Sequence, residues 1–199
     1  MMICCLDLEG VLVPEIWINV AKKTKVKELS LTTRDIPDYD VLMKRRLAIL
    51  KERGIKLKDI QRVIAALKPL PGAKTFLRKL SGKAQVIILS DTFYEFAGPL
   101  MKQLGRPTLF CNWLSVDSKG FIKQYHLRQK DGKRKAVKAL RQIGFRVHAA
   151  GDSFNDLTML KTAHKGILFK PPAGIAKKYR KHFSVVSNYN QLLKKLLIK

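Results

Sequence analysis

Three short apolar runs, at residues 2–8, 84–89 and 145–150, constrain this chain more than any other feature. Each is rich in residues that suit a buried strand. Each ends in polar residues: Asp7 and Glu9 at the first, Ser90 and Asp91 at the second, Gly151 and Asp152 at the third. Stretches with apolar residues three and four apart lie between them and read as helices. Strands alternating with helices imply an α/β fold, a Rossmann-like parallel sheet with helices on both faces. In such a sheet ligands bind beyond the carboxyl ends of the strands, so the polar residues that end each run are expected to meet at one crevice.

The alternation is interrupted once. Residues 15–68 read as helical throughout, with apolar residues recurring at Val41, Leu42, Leu47, Ile49 and Leu50 and again at Ile60, Val63, Ile64 and Leu67. Pro37 and Gly54 punctuate the stretch, and Pro69-Leu70-Pro71-Gly72 closes it. This block is expected to be a small helical cap, residues 14–69, inserted after the first strand of a core formed by residues 1–13 and 70–199. Within the core, helices are expected at 73–80, 93–104, 133–142, 156–163 and 189–199. Further strands are expected at 108–111, 121–125 and 166–169.

A chain of 199 residues suits one domain with a small insertion. No apolar run approaches the roughly 20 residues needed to span a bilayer, and no signal-peptide pattern opens the sequence. No membrane association and a cytoplasmic location are therefore expected. Cys4, Cys5 and Cys111 have neither a zinc nor a CxxC spacing, and read as free thiols. His126, His148, His164 and His182 share no metal-ligand spacing and read as structural. Forty Lys and Arg against fifteen Asp and Glu give a formal net charge of +25. The basic residues are spread in short clusters along the chain and not gathered in one tail. A generally basic, solvated surface is expected, with polyanion binding incidental and no specific nucleic acid as partner.

Asp7-Leu8-Glu9-Gly10-Val11-Leu12, Ile87-Ile88-Leu89-Ser90-Asp91-Thr92, Lys133 and Gly151-Asp152-Ser153-Phe154-Asn155-Asp156 occur in this order, each after the expected element. In these four motifs the chain resembles the haloacid dehalogenase-like phosphatases. Glu15, Arg46 and the position of the insertion resemble the phosphoserine phosphatases within that superfamily. The stretches 6–18, 32–40 and 90–96 are similar to the bifunctional group that joins phosphoserine phosphatase with homoserine kinase activity. The resemblance implies a Mg²⁺-dependent enzyme that moves phosphate from phosphoserine to water or homoserine.

The chemistry suits these residue types. Uncatalysed phosphate monoester hydrolysis is so slow that enzymes accelerate it by up to about 10²¹-fold. Asp7, with an ordinary pKa near ~3.9, can attack phosphorus without a base, provided a cation offsets the repulsion between the two anions. Mg²⁺ favours oxygen ligands and supplies that charge. The resemblance implies Asp7, Asp152 and the backbone carbonyl of Glu9 as ligands, with Asp156 supporting the metal through water. Ser90 donates to a phosphoryl oxygen and Lys133 adds positive charge. The resemblance implies Glu9 as the acid-base catalyst, protonating the leaving alkoxide and later deprotonating the acceptor. The commonest superfamily pattern has Asp at this place, whereas the bifunctional group carries Glu.

Glu15 facing an ammonium and Arg46 facing a carboxylate would read the amino-acid end of phosphoserine. Asn155 is expected to meet the substrate from the core side, and Asp91 to orient Ser90 or the substrate through its backbone. Lys130 and Lys135 rival Lys133, and Arg45 rivals Arg46. Two other functions compete with this one: a phosphatase for another small phosphomonoester, and a basic nucleic-acid-binding protein on the same scaffold.

Overall fold

The computed structural model describes every residue except Arg34, Pro37 and Lys199. The break expected at Pro37, and Arg34 and Pro37 of the 32–40 stretch, therefore lie outside the described residues, as does the last residue of the terminal helix.

Among the described residues, seven strands form one sheet. They are β1 (Met2–Leu6), β2 (Gln85–Phe93), β3 (Thr108–Val116), β4 (Ile122–His126), β5 (Arg146–Gly151), β6 (Lys165–Phe169) and β7 (Ser184–Val186). Their spatial order is β4-β3-β2-β1-β5-β6-β7, and all pairs are parallel except β3 with β4. That exception departs from the all-parallel expectation and has a local cause. The turn from Asp117 to Gly120, with Gly120 at φ +87°, is too short for a crossover, and a tight turn joins only antiparallel strands.

Alternation along β1 shows why the sheet has two faces. Cys4 and Leu6 point into the core on one side, which includes α4 (Ala73–Ser81), α5 (Tyr94–Gln103) and α9 (Tyr189–Leu197). Ile3 and Cys5 point into the other, which includes α6 (Gly132–Gln142), α7 (Leu157–Thr162) and α8 (Ala173–Tyr179). The three cysteines are buried free thiols, and burial pushes each up to about 12, which leaves them unreactive packing residues.

Between β1 and α4 lie α1 (Ile16–Thr24), a 3-10 turn at Lys27–Ser30, α2 (Tyr39–Glu52) and α3 (Leu57–Ala65). The chain leaves the sheet after Val13 and returns at Leu70, whose amide donates to the Leu12 carbonyl at 2.9 Å. α2 starts where the Asp38 side chain accepts from the amides of Asp40 and Val41. Its buried stripe is Leu42, Met43, Arg46 and Leu50. Val41, expected in the apolar face, is exposed, one position out of phase with that stripe.

Several elements differ from the sequence reading; β3 runs to Val116 instead of ending at residue 111. β2 runs on through Ser90-Asp91-Thr92 instead of ending at residue 89. There three residues of β2 stand against one of β3, between the pairs Leu89–Phe110 and Phe93–Asn112. α8 and β7 were not expected; α8 buries one residue, Ile175, and β7 buries one, Val186, so neither carries a periodic apolar signal.

Candidate active site

β1 sits between β2 and β5, so the carboxyl ends of these three strands are neighbours. Leu6 is in register with Ile88 on one side and Ala150 on the other. The next residue, Asp7, donates its amide to the Ala150 carbonyl at 2.9 Å. Asp7, Ser90 and Asp152 therefore surface together, and all three are buried. They line one cavity of about 310 Å³, shared with Glu9, Glu15, Arg46, Asp91, Lys133 and Asn155.

At one end of the cavity, Asp7, Asp152 and Asp156 bring carboxylate oxygens within 4.8 Å of one another. Lys133, in the first turn of α6, reaches in from the neighbouring helix. Its Nζ donates to Oδ1 of Asp7 and Oδ1 of Asp156, both at 2.8 Å, and lies 3.7 Å from Asp91. Lys130 and Lys135 are exposed, which separates them from Lys133. Burial alone would lower the Lys133 pKa, but the charges of Asp156 and Asp7 outweigh it and hold the ammonium well above its ordinary value. Burial pushes Asp7 upward, and so do Asp156 and Asp152, while Lys133 opposes them.

Two glycines make room for this cluster. Gly10 has φ +74°, and a Cβ there would stand 2.5 Å from the carboxyl carbon of Asp152. A Cβ at Gly151 would collide with the Asp156 side chain. Asp156 is held on all sides: Oδ2 accepts from the amides of Asp152 and Ser153 at 2.9 and 3.1 Å and from the Ser153 hydroxyl at 3.3 Å. Asp7 and Asp156 pair with the Lys133 ammonium, so the three clustered carboxylates carry an excess of negative charge that a divalent cation would neutralise. An all-oxygen donor set of this kind suits Mg²⁺. The Glu9 carboxylate is outside this trio.

The other end of the cavity belongs to the helical segment. Glu9 Oε2 accepts from the Ile16 amide at 2.7 Å, at the N-terminus of α1. Glu15 stands beside it within hydrogen-bond reach. Burial first, and the neighbouring Glu15 second, raise the Glu9 pKa to about 8, against the opposing Ile16 amide and Arg46. Arg46 is buried and Arg45 exposed, which separates the two candidates on α2. Arg46 donates from Nη2 to the Leu31 carbonyl at 2.7 Å, while its buried Nε has no hydrogen-bond partner among the described residues. Burial lowers its pKa to about 10, so it stays a cation at neutral pH.

The remaining candidates sit at the seam. Ser90 Oγ accepts from the Thr92 amide at 3.2 Å. The Asp91 side chain is 46% exposed. Asn155 is exposed and its Oδ1 accepts from the Thr33 hydroxyl at 3.4 Å, across the junction between helical segment and sheet. Tyr39 and Thr33 line the cavity but were not singled out as site residues from the sequence. For Tyr39 the signal was present: it precedes Leu42 by three and Arg46 by seven residues, which puts all three on one face of a helix.

A family model described as a haloacid dehalogenase-like hydrolase matches residues 1–164. The chain is 57% identical over 197 residues to phosphoserine phosphatase ThrH of Pseudomonas aeruginosa, covering 99% of this chain and 96% of that one. It is 55% identical over 195 residues to a phosphoserine phosphatase of Pseudomonas syringae pv. tomato, covering 98% and 82%. Among solved structures, a phospho-aspartyl intermediate analogue of phosphoserine phosphatase matches with a TM-score of 0.77 at 19% identity, covering 97% of each chain. A substrate-bound phosphoserine phosphatase complex matches with a TM-score of 0.76 at 18% identity, also covering 97% of each. At such identities these two likenesses concern the fold.

Proposed function

The chain belongs to the haloacid dehalogenase-like hydrolases, and on that premise we propose that it is a magnesium-dependent phosphoserine phosphatase with Asp7 as its nucleophile. The observation that carries this reading is a single cavity with chemically different ends. One end has Asp7, Ser90 and Lys133 for a phosphate; the other has Glu15 for an ammonium and Arg46 for a carboxylate.

An Asp7 carboxylate oxygen attacks phosphorus, the bond from phosphorus to the serine oxygen breaks, and the leaving alkoxide takes a proton from Glu9. A pKa raised to about 8 keeps Glu9 protonated at neutral pH, which suits this step. Glu9, now ionised, then takes a proton from an acceptor hydroxyl. That oxygen attacks the phosphoryl group on Asp7, and the bond from Asp7 to phosphorus breaks, restoring the carboxylate. With water the product is phosphate; with homoserine it is O-phosphohomoserine. Ser90 and Lys133 hold the phosphoryl oxygens in place and meet the charge that develops on them. Lys133 is itself held by Asp156. Asn155 and the backbone of Asp91 bound the substrate from the core side.

Mg²⁺, when bound, supplies the positive charge that lets an anionic nucleophile approach an anionic phosphate. Asp7, Asp152 and the Glu9 carbonyl would hold it, with Asp156 behind them through water. Residues 14–69 act as a cap over a core of residues 1–13 and 70–199. The Leu12–Leu70 hydrogen bond at the root of the insertion supports that division.

The test is to incubate the purified protein with Mg²⁺ and a panel of phosphomonoesters, with and without homoserine, and to measure free phosphate and O-phosphohomoserine. Phosphoserine is expected to have the highest kcat/KM. Turnover of an aryl phosphate with none of phosphoserine would overturn the substrate and leave the chemistry. No phosphohomoserine at saturating homoserine would remove the second acceptor.

A further inference from the structure

The backbone carbonyl of Asp91 is held from two sides. The Tyr39 hydroxyl donates to it at 3.2 Å from the first residue of α2, and the Asn112 side-chain amide donates to it at 3.1 Å from β3. It can take side-chain donors because it lies in the irregular part of β2, where three residues face one of β3 and the regular ladder is interrupted. Asn112 is buried and is fixed in turn by the Arg128 amide, which donates to its Oδ1 at 3.1 Å. The sheet side of this carbonyl is therefore rigid, and Tyr39 is what the helical segment adds.

Tyr39 has its own support. Its ring meets that of Tyr125 on β4 edge to face, with centroids 5.8 Å apart. The Tyr125 hydroxyl donates to the Asp40 carboxylate, next to Tyr39 on the same helix. Lys44, one turn on, pairs with Asp40 at 2.6 Å. Behind them, the turn before β4 holds the start of α3: the Leu57 amide donates to the Gly120 carbonyl at 3.0 Å. The β3–β4 hairpin thus contacts both α2 and α3, and the hydroxyl of Tyr39 carries the α2 contact to the residue after Ser90.

We propose that Tyr39, braced by the Tyr125–Asp40 contact, is a positioning residue that registers the helix bearing Arg46 against the segment bearing Ser90. The proposal rests on the reading of Arg46 and Ser90 as opposite ends of one substrate site. A substrate that needs both ends binds only when α2 stands at the right height over β2. Loosening the Tyr39 tie lowers the share of molecules in that arrangement, and the apparent affinity falls by the same factor. A substrate held by its phosphate alone is less affected.

The experiment uses Tyr39→Phe, Tyr125→Phe and the double variant. The first measurement is the ratio of kcat/KM for phosphoserine to that for an aryl phosphate. Removing one neutral hydrogen bond is expected to lower this ratio roughly 3- to 10-fold in Tyr39→Phe, mainly through KM. Tyr125→Phe shifts it the same way, and the double variant falls by less than the product of the two single effects, because the residues act as one unit. The second measurement is amide hydrogen exchange, which needs no substrate. Exchange across Tyr39–Glu52 is expected to quicken in Tyr39→Phe while Arg146–Gly151 keeps its wild-type rate. Unchanged exchange in α2, or an equal loss of turnover for both substrates, overturns the proposal. If the wild type does not turn over phosphoserine, exchange alone decides: faster exchange in α2 upholds the tie, and it is the substrate reading that falls.

Discussion

The Arg46 guanidinium lies 4.4 Å from the centroid of the Trp17 ring, so the cation at the helical end of the cavity is mounted on an aromatic face. The stack fixes the plane of the fork, and the Leu31 carbonyl takes one of its donors. The fork is thus oriented before any substrate arrives. Arg46→Ala deletes the proposed partner of the substrate carboxylate, and lost charge-assisted contacts cost a few kcal/mol. A loss of roughly 10²- to 10³-fold in kcat/KM for phosphoserine is expected, with a much smaller loss for an aryl phosphate. Arg45→Ala is the control, because its side chain is exposed. An unchanged ratio between the substrates in Arg46→Ala would mean that Arg46 does not read the carboxylate.

Asp7→Asn keeps the shape of the side chain and removes the anion. Its amide cannot act as the nucleophile, so turnover is expected to fall to background for every phosphomonoester. The fold should survive, since Asn can still meet the Leu8 amide that now donates to Asp7 Oδ1 at 2.7 Å. Circular dichroism checks the fold and phosphate release checks the chemistry. Near wild-type turnover, with deamidation excluded by mass spectrometry, would sink the assignment of Asp7.

The clustered carboxylates of Asp7, Asp152 and Asp156 make the metal prediction. Exhaustive chelation is expected to stop turnover, and added Mg²⁺ to restore it. Asp152→Asn should need a higher Mg²⁺ concentration for half-maximal activity, because one of the oxygen anions is gone. Mg²⁺ should also raise the melting temperature of the wild type more than that of Asp152→Asn, by mass action on the folded state. Full activity in metal-free protein would remove the ion from the account.

The sheet and the polar ends of its strands were legible because periodicity reports burial. β1, β2 and β5 are apolar runs inside a two-faced sheet, and Asp7, Ser90 and Asp152 come where those runs stop. What periodicity could not report is the irregular run of β2 past Leu89, since Ser90 and Asp91 are polar in either conformation. α8 and β7 bury one residue each, too few to make a pattern. The choice of Lys133 over Lys135, and of Arg46 over Arg45, depends on the direction in which a helix points a side chain, and Lys130 lies before α6 begins. Tyr39 shares a helix face with Leu42 and Arg46, which the spacing does report, but what its hydroxyl holds is visible only once the Asp91 carbonyl is placed opposite it.

The formal charge of +25 makes a prediction about polyanions. Binding to DNA or RNA is expected to be weak and to fall steeply with salt, as counterion release requires. Affinity measured across salt concentrations for several sequences checks this. A sequence-selective complex with nanomolar affinity at physiological salt would overturn it.

His148 sets the last expectation, which concerns stability rather than turnover. It lies buried on β5 under α9, and its Nδ1 is 2.6 Å from the Leu196 carbonyl. A carbonyl only accepts, so Nδ1 carries the proton and Nε2 is the bare nitrogen, buried with no partner among the described residues. Charging the ring would add a proton at Nε2 where nothing can take it. Burial lowers the pKa most, the Leu196 carbonyl opposes it, and Lys165, Arg146 and His164 lower it further. The folded protein therefore resists a proton that the unfolded chain accepts at its ordinary value near ~6.5. The sign follows: this contribution to stability is complete above that value and is lost as pH falls towards the lower folded pKa. The limiting loss from one such group is about 1.4 kcal/mol per pH unit. His148→Leu removes the titration along with the hydrogen bond to Leu196. The variant is expected to be less stable than wild type at pH 7.5, with the gap narrowing at pH 5.5 in urea unfolding. A gap of the same size at both pH values would show that His148 does not gain a proton on unfolding.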